Sequence, residues 1–177
     1  MRRRIWTLIL SLATVIGVSV QSQAPQPGAE AKKLAMFVGN WQYEGTAKAS
    51  PLGPAAKVSG RQTVRLVGGG FAVEWTGEES GVLGTGKFGE IDVYDAALKA
   101  NRYLGFQDDG STWQGTSSFS GNVVKFSGTQ STKGTSYQVR GTMTFAADGK
   151  SFAQQVEIST DGKTWAPWME LKVTRVS

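Results

Sequence analysis

The feature that most constrains the fold is an alternation of apolar and polar residues that runs from Asn40 towards the end of the chain. It is clear in "VSGRQTVRLV" (58–67) and "SYQVRGTMTF" (136–145), where apolar residues recur at every second position for most of the stretch. Successive side chains of a strand point to opposite faces of a sheet, so this period indicates half-buried β-strands. About ten such stretches follow one another, which predicts an all-β fold.

The turns between these stretches are short, so neighbouring strands should be antiparallel. Asp109-Gly110, Asp148-Gly149 and Asp161-Gly162 are dipeptides typical of tight hairpins. An open meander would leave two edge strands unpaired, whereas closure into a barrel removes both edges. The 23 glycines of the chain suit the bends of a closing barrel. We therefore predict one antiparallel up-and-down barrel of about ten strands over residues 31–177.

The segments before and inside the barrel follow other patterns. "AKKLAMFV" (31–38) has apolar residues at 34, 37 and 38, which predicts about two turns of amphipathic helix ended by Gly39. Residues 25–30 are polar and contain proline, typical of a flexible lead-in. "KASPLGPAAK" (48–57) is expected to be a loop because proline disfavours a strand interior, and its Leu52 could fold over one barrel mouth.

The N-terminus has the pattern of a secretory signal peptide. Three arginines precede an apolar run over residues 5–20, and Ser22-x-Ala24 offers a small-residue cleavage pattern. We expect residues 1–24 to be removed and the protein to be periplasmic or secreted. The alternative is an uncleaved anchor, but the run of sixteen residues is short of the roughly twenty that a membrane span needs. Cleavage would leave no stable membrane anchor.

Charge argues against a nucleic-acid partner. The formal net charge is +5, but three of the 19 basic residues lie in the predicted signal, so 16 basic and 14 acidic residues remain. No cluster of lysine or arginine is left to follow a phosphate backbone.

The residue types that the chain lacks restrict its chemistry. It contains no His and no Cys, so it has no imidazole base, no usual zinc ligand, no proximal haem histidine and no disulfide. We expect no metal and no cofactor. Any catalysis would depend on carboxylates, Lys, Tyr, Ser or Thr.

The two ends of the barrel sequence predict a structural contact. In "LKVTRVS", Arg175 shares the parity of Leu171 and Val173, so it should point inwards near one barrel end. Trp41 of "FVGNW" lies near the start of the first strand, which should close against the last one. A cation–π contact between Trp41 and Arg175 is therefore expected.

These residues carry a family resemblance. Gly39-Asn40-Trp41 with a late Arg175 resembles the Gly-x-Trp and C-terminal Arg signature of lipocalins and their calycin relatives. Residues 33–175 are similar to the DUF1579 family of bacterial domains, notably in "GGFAVEWTGEE", "VYD…YLGF" and "STDGKTW". The resemblance implies a calycin-like barrel and supplies no agreed catalytic residues. Related nitrobindin-type barrels bind haem through a histidine, which this chain does not have.

Two further motifs suggest chemistry that their context opposes. "GTGKFG" (84–89) matches the dinucleotide fingerprint G-x-G-x-x-G, but the strand-like "EIDVYD" follows where that fingerprint needs a helix. Glu90 and Asp92 lie on one strand face about 7 Å apart, a spacing that would suit an acid/base pair. We expect them on the solvent face, opposite Ile91 and Val93, because carboxylates are seldom buried. Parity places Glu74 outside as well.

If the apolar face points inwards, it supplies the candidate ligand-binding residues of the lumen. These are Gln62, Val73, Trp75, Ile91, Phe106, Tyr137, Met143 and Gln154. Gln62 and Gln154 stand out because a buried amide without a hydrogen bond costs about 1–3 kcal/mol. They could bond to each other, to water or to the polar end of a ligand. The alternative is that the apolar residues only fill the core.

Three functions are compatible with this sequence. The first is an exported, non-catalytic barrel that binds a small, largely apolar molecule in its lumen. The second is a barrel enzyme of isomerase, cyclase or hydrolase type, which requires a Tyr or a carboxylate with a raised pKa in the lumen. The third is an envelope interaction protein with a packed barrel, in which Trp113, Trp165 or Trp168 form an exposed anchor patch.

Overall fold

A computed structural model describes residues 26–176, so the predicted signal peptide lies outside the described residues. Within this range ten antiparallel strands form a closed barrel: each strand pairs with the next, and the first pairs with the last. The strands are β1 (Gly39–Ala47), β2 (Ala56–Val67), β3 (Ala72–Gly81), β4 (Gly84–Asp95), β5 (Ala100–Gln107), β6 (Thr112–Ser120), β7 (Val123–Thr132), β8 (Thr135–Phe145), β9 (Ser151–Ser159) and β10 (Ala166–Val176). The predicted fold class is confirmed.

A short helical segment closes one end of the barrel. It consists of α1 (Ala29–Lys32) and a 3₁₀-helix (Lys33–Phe37). Its two large buried side chains, Leu34 and Phe37, are three residues apart, which is one turn of a 3₁₀-helix. The Phe37 ring lies 4.9 Å from that of Trp75, measured between centroids. We call Leu34 and Phe37 the plug. A second 3₁₀-helix (Gly68–Gly70) connects β2 and β3, and no helix within residues 26–176 is long and apolar enough to span a bilayer.

The predicted contact between Trp41 and Arg175 is confirmed, and it joins the first strand, the last strand and the plug. The two residues are paired in register across β1 and β10, with the guanidinium carbon 4.2 Å from the centroid of the indole. Arg175 also donates hydrogen bonds to the carbonyls of Val38 and, at 3.2 Å, Met36. The indole N–H of Trp41 donates to the carbonyl of Phe37 at 2.7 Å. Trp41 is thus a structural residue at the closed end.

The opposite end of the barrel carries the β1–β2, β3–β4, β5–β6, β7–β8 and β9–β10 connections. Leu52, in the β1–β2 loop, is partly buried against the core as expected, and Gly53 beside it lies next to Val82. In β10 the register shifts between Pro167 and Met169. Because of this bulge, Trp168 and Met169 both reach the inside of the barrel although they are consecutive.

Candidate functional site

The β4–β5 hairpin turns its more polar face into the barrel. Glu90 and Asp92 point inwards, and Asp92 is 5% exposed. Ile91 and Phe106 lie outside, 41% and 60% exposed, together with Val93 and Leu104. The predictions that Glu90 and Asp92 lie on the solvent face and that Ile91 and Phe106 line the lumen are therefore wrong.

The physical reason lies in the parity of β4. Phe88 shares the face of Glu90 and Asp92, so apolar residues occur on both faces of this strand and do not decide its orientation. Inside the barrel the two carboxyl groups meet indole N–H donors, which compensate part of their loss of water. Glu74, by contrast, lies on the outer face as expected, in an ion pair with Arg65.

We call Glu90 and Asp92 the carboxyl pair. The indole N–H of Trp75 donates to Oδ2 of Asp92 at 3.2 Å, and the indole N–H of Trp113 donates to Oε2 of Glu90. Strand β3, which pairs with β4, and strand β6, which lies beyond β5, thus each supply one donor to the pair. Oδ1 of Asp92 has no hydrogen-bond partner within residues 26–176.

Burial raises the pKa of both members of the pair. For Asp92 the negative charge of Glu90 raises the pKa further, whereas the bond from Trp75 lowers it. For Glu90 the hydrogen bonds from Trp113 and Asp92 partly oppose the effect of burial on its pKa. Two adjacent carboxylates in a low-dielectric site do not ionise together readily. The arrangement therefore favours one shared proton, with Asp92 as the protonated member and Glu90 as the charged one.

Glycines make room for the aromatic side chains around this pair. A Cβ on Gly105 would collide with the indole of Trp113, its partner across β5 and β6. The hydroxyl of Tyr103 likewise occupies the space that a Cβ on Gly115 or Gly128 would need. Small residues at these positions allow the rings of Trp113 and Tyr103 to pack closely against the inner wall of the barrel.

Tyr103 adds a second functional group beside the pair. Its buried hydroxyl has no hydrogen-bond partner among residues 26–176. Burial and the negative charges of Glu90 and Asp92 raise the pKa of Tyr103, so this phenol keeps its proton and can donate a hydrogen bond.

A third acidic group lies closer to the open end. The hydroxyl of Tyr43 donates to Oε2 of Glu79 at 3.2 Å. Burial raises the pKa of Glu79, and the bond from Tyr43 partly offsets this. Burial and, to a lesser extent, the neighbouring Glu79 raise the pKa of Tyr43 as well. Glu79 and the carboxyl pair do not converge: within residues 26–176 no three acidic side chains are close enough to hold a metal ion together.

These groups border a cavity of about 220 Å³ that extends from Phe37 at the plug to Val82 and Leu83 at the β3–β4 turn. An engineered cavity of about 150 Å³ in another protein holds benzene, so this space suits a one-ring molecule. Most of the wall is apolar and comes from Val124, Val139, Met143, Phe152, Val156 and Leu171. No Lys or Arg occurs among the described residues that line it.

The structure separates the other predicted lumen residues into two groups. Gln62, Trp75, Met143 and Gln154 line the cavity. Val73 is fully buried in the core, and Tyr137 is partly buried against the core without lining the cavity. Ligand binding by any of them stays a prediction.

The predicted aromatic anchor patch is absent from the described surface. Trp113 and Trp168 line the cavity, because β6 and the β10 bulge turn them inwards. Trp165 is half-buried beneath the guanidinium of Arg140, which lies 4.2 Å from its ring centroid. The interpretation of these three residues as one exposed surface is wrong.

The family model of DUF1579, described as a protein of unknown function, matches residues 26–175. The chain belongs to the DUF1579 family. No curated protein matches it. The match covers the plug and all ten strands of the DUF1579 barrel except the last residue of β10, Val176.

The fold of this DUF1579 chain is similar to that of a solved structure. The crystal structure of Rv2717c from M. tuberculosis has a TM-score of 0.60 and 12% identity, with 86% of this chain and 100% of that chain covered. A de novo designed fluorescence-activating beta barrel has a TM-score of 0.44 and 12% identity, with 82% and 98% covered. At this identity the first likeness concerns the fold alone.

Sequence reasoning missed the main polar residues of the DUF1579 lumen, namely the carboxyl pair, Tyr103, Trp113 and Glu79. A usable signal was present in the glycines at 105 and 115, which pair across β5 and β6 with Trp113 and Tyr103, and in Gly128, which pairs with Gly115. The "GTGKFG" motif begins β4, and no helix follows it, so the nucleotide fingerprint lacks its structural context.

Proposed function

We propose that this protein is an exported barrel that binds a small, largely apolar molecule in its lumen, with one polar group of that molecule held by the carboxyl pair. The observation that carries the proposal is the cavity of about 220 Å³, whose apolar wall ends at buried polar atoms without protein partners.

Those polar atoms are Oδ1 of Asp92, the hydroxyl of Tyr103 and Nε1 of Trp168, and all three residues line the cavity. A buried polar atom without a partner costs about 1–3 kcal/mol, so three of them in one small space oppose folding. A core that served stability alone would gain by replacing them with apolar groups. Their presence is better explained by a ligand that bonds to them.

The binding proposal can be tested with benzyl alcohol, a neutral one-ring molecule with a single polar group. We expect saturable one-to-one binding by NMR titration of the indole N–H signals. Met143→Trp should fill the cavity and abolish binding. Thr144→Trp, the adjacent position on β8 with an exposed side chain, is the matched control and should bind normally. Absence of saturation, or equal binding by both variants, would contradict the proposal.

A second candidate function is general acid–base catalysis, and the carboxyl pair favours it. One protonated and one ionised carboxyl group beside a phenol form a set that can remove and return a proton. Acetophenone provides a test, since a base in the lumen should exchange its methyl hydrogens for deuterium in D₂O. We expect faster exchange with the wild type than with Glu90→Gln. Binding without any acceleration would leave only the carrier function.

Export is the part of the proposal that depends on residues 1–24. Intact-mass measurement of the protein recovered from the periplasm should give a chain that begins after Ala24 or close to it. Recovery of the full-length chain from the membrane fraction would favour the uncleaved anchor instead.

A further inference from the structure

The charges of the barrel are distributed unequally between its two surfaces. On the outside, acidic residues are paired with arginine: Arg61 with Glu78, Arg65 with Glu74, and Arg140 with Glu157. Inside, Glu79, Glu90 and Asp92 line the cavity, and no Lys or Arg occurs among its described lining residues. The lumen therefore carries acidic groups that the protein does not neutralise.

Indole donors reduce this imbalance without removing it. Trp75 and Trp113 each give one neutral N–H to the carboxyl pair, but a neutral donor does not cancel a charge. With one proton on the pair, Glu90 still places a carboxylate in the lumen. A buried carboxylate without a cation is costly, because water is excluded and nothing of opposite sign replaces it. A positive charge delivered by a ligand would remove that cost.

The remaining wall around the pair suits an organic cation. Tyr103, Trp113, Phe88 and Trp75 all line the same cavity, and the rings of Phe88 and Trp113 are 6.2 Å apart. Aromatic rings attract ammonium groups, most strongly where water is excluded. An anion would meet only like charges here. A metal ion would lack ligands, since no third acidic side chain reaches the pair in the described part of the chain.

We propose that the ligand of this lumen is a small organic ammonium ion whose N–H groups bond to Glu90 and to Oδ1 of Asp92, while its apolar body lies against the apolar wall of the cavity. The proposal rests on the proposed binding function and specifies its ligand class. The hydroxyl of Tyr103, beside the pair, can accept a further N–H bond from the same group. Glu79, nearer the open end, places a second acidic group along the way in.

Benzylamine and benzyl alcohol form a matched pair of probes for this inference, since they differ at one heavy atom. At about pH 7 the amine is protonated, as alkylamines are. We expect the wild type to bind benzylamine at least about ten-fold more tightly than benzyl alcohol in NMR or calorimetric titrations. Glu90→Gln should reduce this preference to roughly two-fold or less, because it removes the charge that favours the amine over the alcohol.

The matched control is Glu157→Gln, which removes the same formal charge from the outer face of β9. It should keep the full preference for the amine, because the exposed carboxylate is screened from the lumen by solvent. If Glu90→Gln does not fold, the wild-type comparison of the two probes still decides the inference.

The possible results separate the two proposals. Tight binding of benzylamine that is lost in Glu90→Gln supports the ammonium site. Equal binding of both probes, or tighter binding of the alcohol, overturns the ammonium inference and leaves the proposed lumen binding intact. If neither probe binds, both proposals are contradicted.

Discussion

The indole N–H of Trp75 on β3 donates a 3.2 Å hydrogen bond to the carboxyl group of Asp92 on β4, inside the closed barrel. The same indole packs on Phe37 of the plug, with 4.9 Å between ring centroids. The acidic part of the lumen and the closed end of the barrel therefore share a residue. A change at the carboxyl pair or at the plug should alter the environment of Trp75, so tryptophan fluorescence reports on both places.

The first prediction concerns pH. Because burial raises the pKa of Asp92, Glu90 and Glu79 in the folded state, that state binds more protons than the unfolded chain above about pH 4. The free energy of unfolding should then fall as the pH rises from about 5 to 8. Asp92→Asn should flatten this slope and raise the stability at pH 8 by about 1 kcal/mol or more.

Urea denaturation at several pH values measures this slope. Hydrogen bonds in the β9–β10 turn lower the pKa of Asp161. Its contribution to the free energy of unfolding is therefore lost only below about pH 4, outside the measured window. Glu157→Gln on the outer face serves as the control and should keep the wild-type slope. A stability that rises between pH 5 and 8 would show that the carboxyl pair is not buried as described.

The second prediction concerns Gly105. Alanine at this position would displace the Trp113 indole and break its bond to Glu90, so Gly105→Ala should cost about 1–3 kcal/mol. Gly28→Ala is the control, because a Cβ there meets nothing within 4 Å. It should change the stability by less than about 0.5 kcal/mol. Thermal melts and the tryptophan emission spectrum check both, and equal behaviour of the two variants would be evidence against the packing of Trp113 on β5.

The third prediction compares two arginines that stack on tryptophan at the same 4.2 Å distance. Arg175→Lys loses the stacking on Trp41 and the fixed geometry of two bonds to the carbonyls of Met36 and Val38, so it should cost about 1–3 kcal/mol. Arg140→Lys acts on an exposed pair with Glu157 and should cost less than about 1 kcal/mol. Chemical denaturation measures both. A larger loss for Arg140→Lys would mean that the closed end contributes little to stability.

The fourth prediction tests the orientation of the β4–β5 hairpin. Ile91→Thr keeps a branched side chain on an exposed face and should cost less than about 1 kcal/mol. Val73→Thr places a hydroxyl in the fully buried core beside the carboxyl pair and should cost about 1–3 kcal/mol. If Ile91→Thr proved the more damaging variant in urea denaturation, the hairpin would face the other way.

The sequence predicted the barrel well because its evidence is repeated. Ten alternating stretches indicate strands, and the short glycine-containing turns between them require antiparallel neighbours. The expected contact between Trp41 and Arg175 located the closure of the barrel. The site was harder to predict, because it depends on one hairpin that has apolar residues on both faces and turns its more polar face inwards. In β4, Phe88 supports one orientation and Ile91 the other. What decides between them is the position of two indole donors, Trp75 and Trp113, on other strands. Such long-range pairing leaves no periodic trace in the sequence.

The plug formed by Leu34 and Phe37 restricts how a ligand can enter and leave the lumen. Because the plug closes one end within the described residues, a ligand that binds as we propose would enter near Val82 and Leu83 with its ammonium group first. The apolar part of the ligand would then point towards Val82 and Leu83, where a longer chain can extend into solvent. We therefore expect the barrel to be selective for the ammonium group of its ligand and to accept apolar parts of different lengths.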